Sequence, residues 1–104
     1  MKLIKSKQLR EGQDQFEVLH TTDRTQIALM MLKEGETSGE YGTDHPHADQ
    51  TIIVLEGTGS IRYEGKTAQL QNGDVVLIPA GAKHQVIGPN RTFNVYSPVA
   101  YPDE

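Results

Sequence analysis

The stretch from Gln50 to Pro98 reads QTIIVLEGTGSIRYEGKTAQLQNGDVVLIPAGAKHQVIGPNRTFNVYSP, and its rhythm decides the fold. Apolar runs of four to six residues recur every eight to twelve positions, each closed by Gly, Pro or Asn. Short strands at that spacing are the sequence pattern of a β-sandwich or barrel. The turns between them have identifiable causes. Glu64-Gly65 separates SIRY from KTAQL as a two-residue hairpin, because Gly65 is free to take positive φ. Asn72-Gly73 supplies a second tight turn before DVVLI. Pro79-Ala80-Gly81 ends that strand, since proline cannot donate to a ladder and glycine allows a reversal.

Outward from this stretch the same reading holds. TQIALMMLKEGE (residues 25–36) has helix-compatible residues, but its β-branched start at Thr25 and Ile27 and the stop at Gly35 favour a strand buried on both faces. No apolar stripe of helical period is long enough to compete, and there is no repeat, linker or low-complexity segment. The 104 residues fit one domain, 1–104, with a single core. The expected class is all-β: one antiparallel β-barrel or jelly roll.

Composition narrows the chemistry. Without cysteine there are neither disulfides nor thiolate metal sites, so any metal must be held by His, carboxylate or carboxamide. The net charge of −4 is uneven: Lys2, Lys5, Lys7 and Arg10 make residues 1–10 a basic arm on an acidic body. Four charges without interleaved aromatics are too weak a footprint for nucleic acid. The arm reads instead as a solvated strand facing its own acidic body or a partner subunit. The opening residues lack the apolar core of a signal peptide, and the longest apolar run is far too short to span a bilayer. The expectation is a cytoplasmic protein with neither a membrane nor a nucleic-acid partner.

Two of the four histidines stand one residue apart in DHPHADQ, residues 44–50. In a strand, His45 and His47 would share a face and aim both rings at one point. His84 follows the Pro79–Gly81 corner as the chain re-enters the sheet, whereas His20 has no such neighbours and reads as a surface histidine. Tyr63 alternates in phase with Ile61 and Tyr96 with Asn94, which puts both tyrosines in the interior as core or pocket wall within reach of a ligand. No serine lies in a nucleophile elbow, and GTGS lacks the lysine of a phosphate loop.

These spacings resemble the cupin superfamily, whose first motif is G-x5-H-x-H-x3,4-E-x6-G and whose second is G-x5-P-x-G-x2-H-x3-N. Gly39, His45, His47 and Gly57 match the first, with Gln50 at the glutamate position and one residue fewer before it. Gly73, Pro79, Gly81 and His84 match the second, with Gly88 in place of its asparagine. The likeness covers residues 36–96 and implies a conserved double-stranded β-helix holding a divalent ion, Zn, Mn, Fe or Ni. Carried over by position, it implies His45, His47 and His84 as ligands, with Gln50 the fourth. Gln50 shares a face with the inward-looking Ile52 and Val54, which requires a turn or bulge at Ala48-Asp49. In an unbroken strand Asp49 would share the face of His47 and take its place. Asp44 and Asp49 are also candidates to orient a ligating ring.

Three neutral imidazoles and a neutral amide would leave a divalent ion its full charge, favouring anionic or enolate-like ligands. The resemblance therefore implies a metal-dependent enzyme of dioxygenase or isomerase type acting on a small oxygen-rich metabolite. The alternative is a non-catalytic module binding a sugar or metabolite. Small cupins commonly pair, so a homodimer is expected.

Overall fold

The computed structural model describes residues 1–43 and 45–101. In chain order it contains helix α1 (Ser6–Glu11) and strands β1 (Phe16–Thr21), β2 (Gln26–Leu32), β3 (Asp49–Gly57), β4 (Ser60–Tyr63), β5 (Lys66–Gln69), β6 (Val75–Ile78), β7 (His84–Ile87) and β8 (Asn90–Ser97). Every pairing between these strands is antiparallel. Five form one sheet in the order β1-β2-β8-β3-β6, and three form a second in the order β5-β4-β7. This is the jelly roll that the run of short strands predicted.

Local chemistry explains the corners. The β4–β5 turn has φ of 48° at Glu64 and 74° at Gly65, the paired positive values that match strand twist in a two-residue hairpin. Gly59, between β3 and β4, has φ of 87°, and a β-carbon there would collide with the Ile87 carbonyl. Only glycine lets the β3–β4 link press against β7, and that contact helps to close one sheet upon the other. The Asn72-Gly73 turn donates Gly73 N–H to Val54 O at 2.7 Å, and Ala82 N–H closes the proline corner on Pro79 O at 3.1 Å.

Between the sheets, inward side chains alternate along each strand. Ile52 and Val54 from β3, Met30 and Leu32 from β2, Ile61 from β4 and Val86 from β7 form the main apolar cluster with Leu70 and Ile78. Toward the other end of the same strands the inward positions turn polar: Gln50, Asn94 and His84 are all buried. The site lies there.

One expectation fails at the N-terminus. Residues 1–10 do not form a strand; Ser6–Glu11 is helical. SKQLRE contains no β-branched residue, and five of its six residues are strong helix formers. Gln8 closes the first turn, accepting from Lys5 N–H through its side chain at 3.1 Å while its own N–H donates to Lys5 O at 2.9 Å. The helix buries no side chain. It is tethered by Arg91, whose guanidinium donates to Leu9 O at 3.2 Å and Gly12 O at 2.7 Å. Among the described residues no helix is long and apolar enough to cross a membrane.

Candidate metal and ligand centre

A cavity of about 540 Å³ opens among Met30, Leu32, His45, Gln50, His84 and Tyr96. That is a volume suited to a small metabolite. β3 delivers Gln50, β7 delivers His84, and the turn before β3 delivers His45. The two imidazoles are 4.9 Å apart between ring centres. Tyr96 meets His45 edge-on at 5.3 Å, and Tyr101 meets Tyr96 at 5.3 Å.

The histidine pair separates. Residues 45–48 form a turn closed by Ala48 N–H donating to His45 O at 3.2 Å. Pro46, with its fixed φ, sits inside it. The two-residue alternation that would have aligned the rings begins only at Asp49, where β3 starts. His45 is therefore buried, whereas His47 is exposed and does not line the cavity. The same turn settles the parity question. Gln50 points inward at 3% exposure, and Asp49 is exposed, accepting from Ala80 N–H at 2.8 Å. Asp44 lies outside the described residues. Among the described residues, no three His, Cys, Asp or Glu side chains converge. What converges is two imidazoles and a carboxamide.

The hydrogen bonds around these groups have a fixed polarity. Thr92 O is a carbonyl and only accepts, so Asn94 presents its Nδ2 there, at 3.2 Å, and to Thr92 Oγ1 at 3.1 Å. Asn94 Oδ1 consequently accepts from Gln50 Nε2 at 2.8 Å. Gln50 Nε2 also lies 3.3 Å from the Tyr96 hydroxyl. Gln50 Oε1 is thereby turned toward His45 Nε2, at 2.6 Å. At the far side of that ring, Nδ1 faces Ala48 O at 2.9 Å, where it can only donate. A neutral His45 thus carries its proton on Nδ1 and a lone pair on Nε2. Two lone pairs then face each other in a buried place, an arrangement that is unfavourable unless a positive centre lies between them. His84 has the same outer anchoring, with Nδ1 3.1 Å from Ala82 O, where it can only donate, so a neutral ring carries its lone pair on Nε2. The donor set, two imidazole nitrogens and one amide oxygen, fits a divalent ion of the borderline kind.

The comparisons agree with this geometry at the level of family. The profile of the Cupin domain matches residues 28–94, well over half of the chain. The chain belongs to the cupin family. It is 34% identical over 94 residues to an uncharacterised protein, L612, of Acanthamoeba polyphaga mimivirus, covering 82% of this chain and 57% of that one. It is 42% identical over 60 residues to the uncharacterised protein YdbB of Bacillus subtilis, covering 56% and 53%. The chain thus spans just over half the length of these relatives. Among solved structures, a protein from Bacillus halodurans superposes with a TM-score of 0.81 at 28% identity, over 89% of this chain and 76% of that one.

The remaining expectations divide. Tyr96 is buried against His45, as its phase with Asn94 predicted. Tyr63 keeps the inward phase but sits at the rim, 36% exposed. It lines a separate groove with Ile61, Leu70 and Val76 instead of the histidine cavity. His20 is an exposed strand residue of this cupin. Tyr101 went unread in the sequence. It lines the cavity because buried Gln26 clamps the tail, accepting from Tyr101 N–H and donating to Tyr101 O, each at 2.8 Å. A polar residue at an inward strand position, Gln26, was the available signal.

Proposed function

We propose that this cupin is a divalent-metal-dependent enzyme acting on a small, oxygen-rich metabolite, of the dioxygenase or isomerase class. His45 Nε2, His84 Nε2 and Gln50 Oε1 would hold the ion. The observation that carries the reading is the fixed polarity of the relay Thr92–Asn94–Gln50–His45–Ala48, which leaves two acceptors facing each other at 2.6 Å. When bound, a divalent ion in such a neutral donor set supplies Lewis-acid polarisation of an oxygen ligand. The residues of the chain do the rest. Tyr96 and Tyr101 wall the cavity, while Met30 and Leu32 limit water at its apolar side.

A second reading rests on the same contact. A proton on His45 Nε2 also reconciles it, and the chain is then a metal-free module that binds an anionic metabolite at a cationic imidazole without turning it over.

Elemental analysis of protein purified without chelator or immobilised nickel, followed by titration with Zn, Mn, Fe and Ni, separates the two. The enzyme reading expects near-stoichiometric metal and micromolar or tighter affinity, weakening on acidification because protons compete for the imidazoles. Absence of metal, with carboxylate or enediol ligands binding equally well in chelator, overturns it and leaves the binding module.

A further inference from the structure

The cavity beside His45 and His84 extends well past them, and its farther walls are apolar. On the five-stranded sheet, Phe16 of β1 stands opposite Met30 of β2 in register, so the two share a face. From the other sheet Val86 lines the cavity, two residues beyond His84 on the same side of β7. A row of rings leads outward from the imidazole. His45 meets Tyr96 at 5.3 Å, Tyr96 meets Tyr101 at 5.3 Å, and Tyr101 meets Phe16 at 5.2 Å, each pair edge-on. The row ends at the mouth, where Phe16 is 38% exposed. Tyr101 and Phe16 stand one and two rings beyond Tyr96, outside the donor set, yet both line the cavity.

The rest of the lining is polar but uncharged, and its groups bond largely to the backbone. Gln15 Nε2 donates to Thr37 O at 3.4 Å, Thr37 Oγ1 donates to Gly39 O at 3.2 Å, and Ser38 Oγ accepts from Val86 N–H at 2.9 Å. Among the described residues that line the cavity there is no lysine, arginine, aspartate or glutamate. A chelating head of a few atoms would leave most of the 540 Å³ or so unfilled.

We infer that the substrate carries two neighbouring oxygens at one end and a flat, uncharged, apolar body, aromatic or conjugated, at the other. The metal-dependent function proposed above enters only in how the oxygens are held. The head lies at His45, His84 and Gln50, and the body runs along the ring row toward Phe16. A planar body suits a cavity walled from two facing sheets, because both of its faces are then covered. A phosphate or carboxylate on that body is rejected, since the described lining would strip its water and offer no cation in return. The site thus discriminates by what the far end of the molecule lacks.

Isothermal calorimetry with three hydroxamates on the zinc-loaded full chain tests this, because all share one two-oxygen head. Benzohydroxamate should bind at least tenfold more tightly than acetohydroxamate, and 4-carboxybenzohydroxamate at least tenfold more weakly than benzohydroxamate. Tyr101→Ala and Phe16→Ala, each removing one ring of the row, should cut the benzo-to-aceto ratio to less than a third of its wild-type value. The same comparison in excess chelator, with acetate, benzoate and terephthalate, keeps the body separate from the metal. Benzoate preferred there, with no hydroxamate bound to zinc-treated protein, sinks the metal-dependent function and leaves the apolar-body site standing. An aromatic body that gains nothing in either series overturns the inference, as does a carboxylate on the ring that costs nothing. A preference that survives both ring deletions overturns the placement of the body along Tyr101 and Phe16.

Discussion

Replacing Asn94 by leucine tests the polarity relay at its hinge. Asn94 is fully buried and fixes the amide of Gln50 by accepting from Nε2 at 2.8 Å. Leucine fills similar space but has no acceptor, so Gln50 is free to turn its amide and donate Nε2 to the lone pair on His45. That rotation satisfies His45 and removes Oε1 from the ligand set. Groups that orient a metal ligand typically contribute 10- to 100-fold in affinity, or about 1.4 to 2.8 kcal/mol. The fold should lose about 1–3 kcal/mol, because Thr92 O and Oγ1 forfeit their donor. In a domain of this size each kcal/mol lowers Tm by about 4–8 °C. Asn94→Asp is the discriminating control. Its carboxylate still accepts from Gln50, holding the amide in place, while its second oxygen repels Thr92 O. It should melt at least as low as the leucine variant yet keep metal affinity near wild type. Competition with a chromophoric chelator measures affinity, and melting in excess chelator measures stability. If Asn94→Leu binds metal within threefold of wild type, or if both variants lose affinity in proportion to stability, the relay does not orient Gln50.

Three further outcomes are expected. His45→Ala and His84→Ala should each weaken metal binding at least 100-fold, while His47→Ala, exposed in its turn, should stay within threefold in the same competition assay; equal losses at all three would restore the three-histidine centre. Gly59→Ala combines a left-handed backbone with a collision against Ile87 O and should cost more than about 3 kcal/mol in denaturant unfolding, or prevent soluble expression. Arg91→Leu removes both tethers of α1, so amide exchange in residues 6–12 should accelerate at least tenfold while β2 and β3 stay protected. Unchanged exchange there would mean that the helix is held by other contacts.

The sequence alone determined the fold. Short apolar runs, glycine at positions of positive φ and proline at a strand end are local signals, and they mark the strands between Gln26 and Ser97. The inward placement of Gln50 and Tyr96 was legible because a strand's phase is set by its neighbours, whereas that of His84 came only through the resemblance to the cupin motif. The segment before β3 was not. His45-Pro46-His47 is a turn, and a turn's side-chain directions depend on what its ends dock against, here β3 and the cavity wall. Residues 1–10 failed because a short, exposed helix is decided by weak propensities and one distant arginine. Only the tertiary structure joined Thr92, Asn94, Gln50 and His45 into a chain of fixed polarity. A hydrogen bond's direction is set by its partner across the sheet, and in sequence the links from Asn94 to Gln50 and from Gln50 to His45 span 44 and 5 residues.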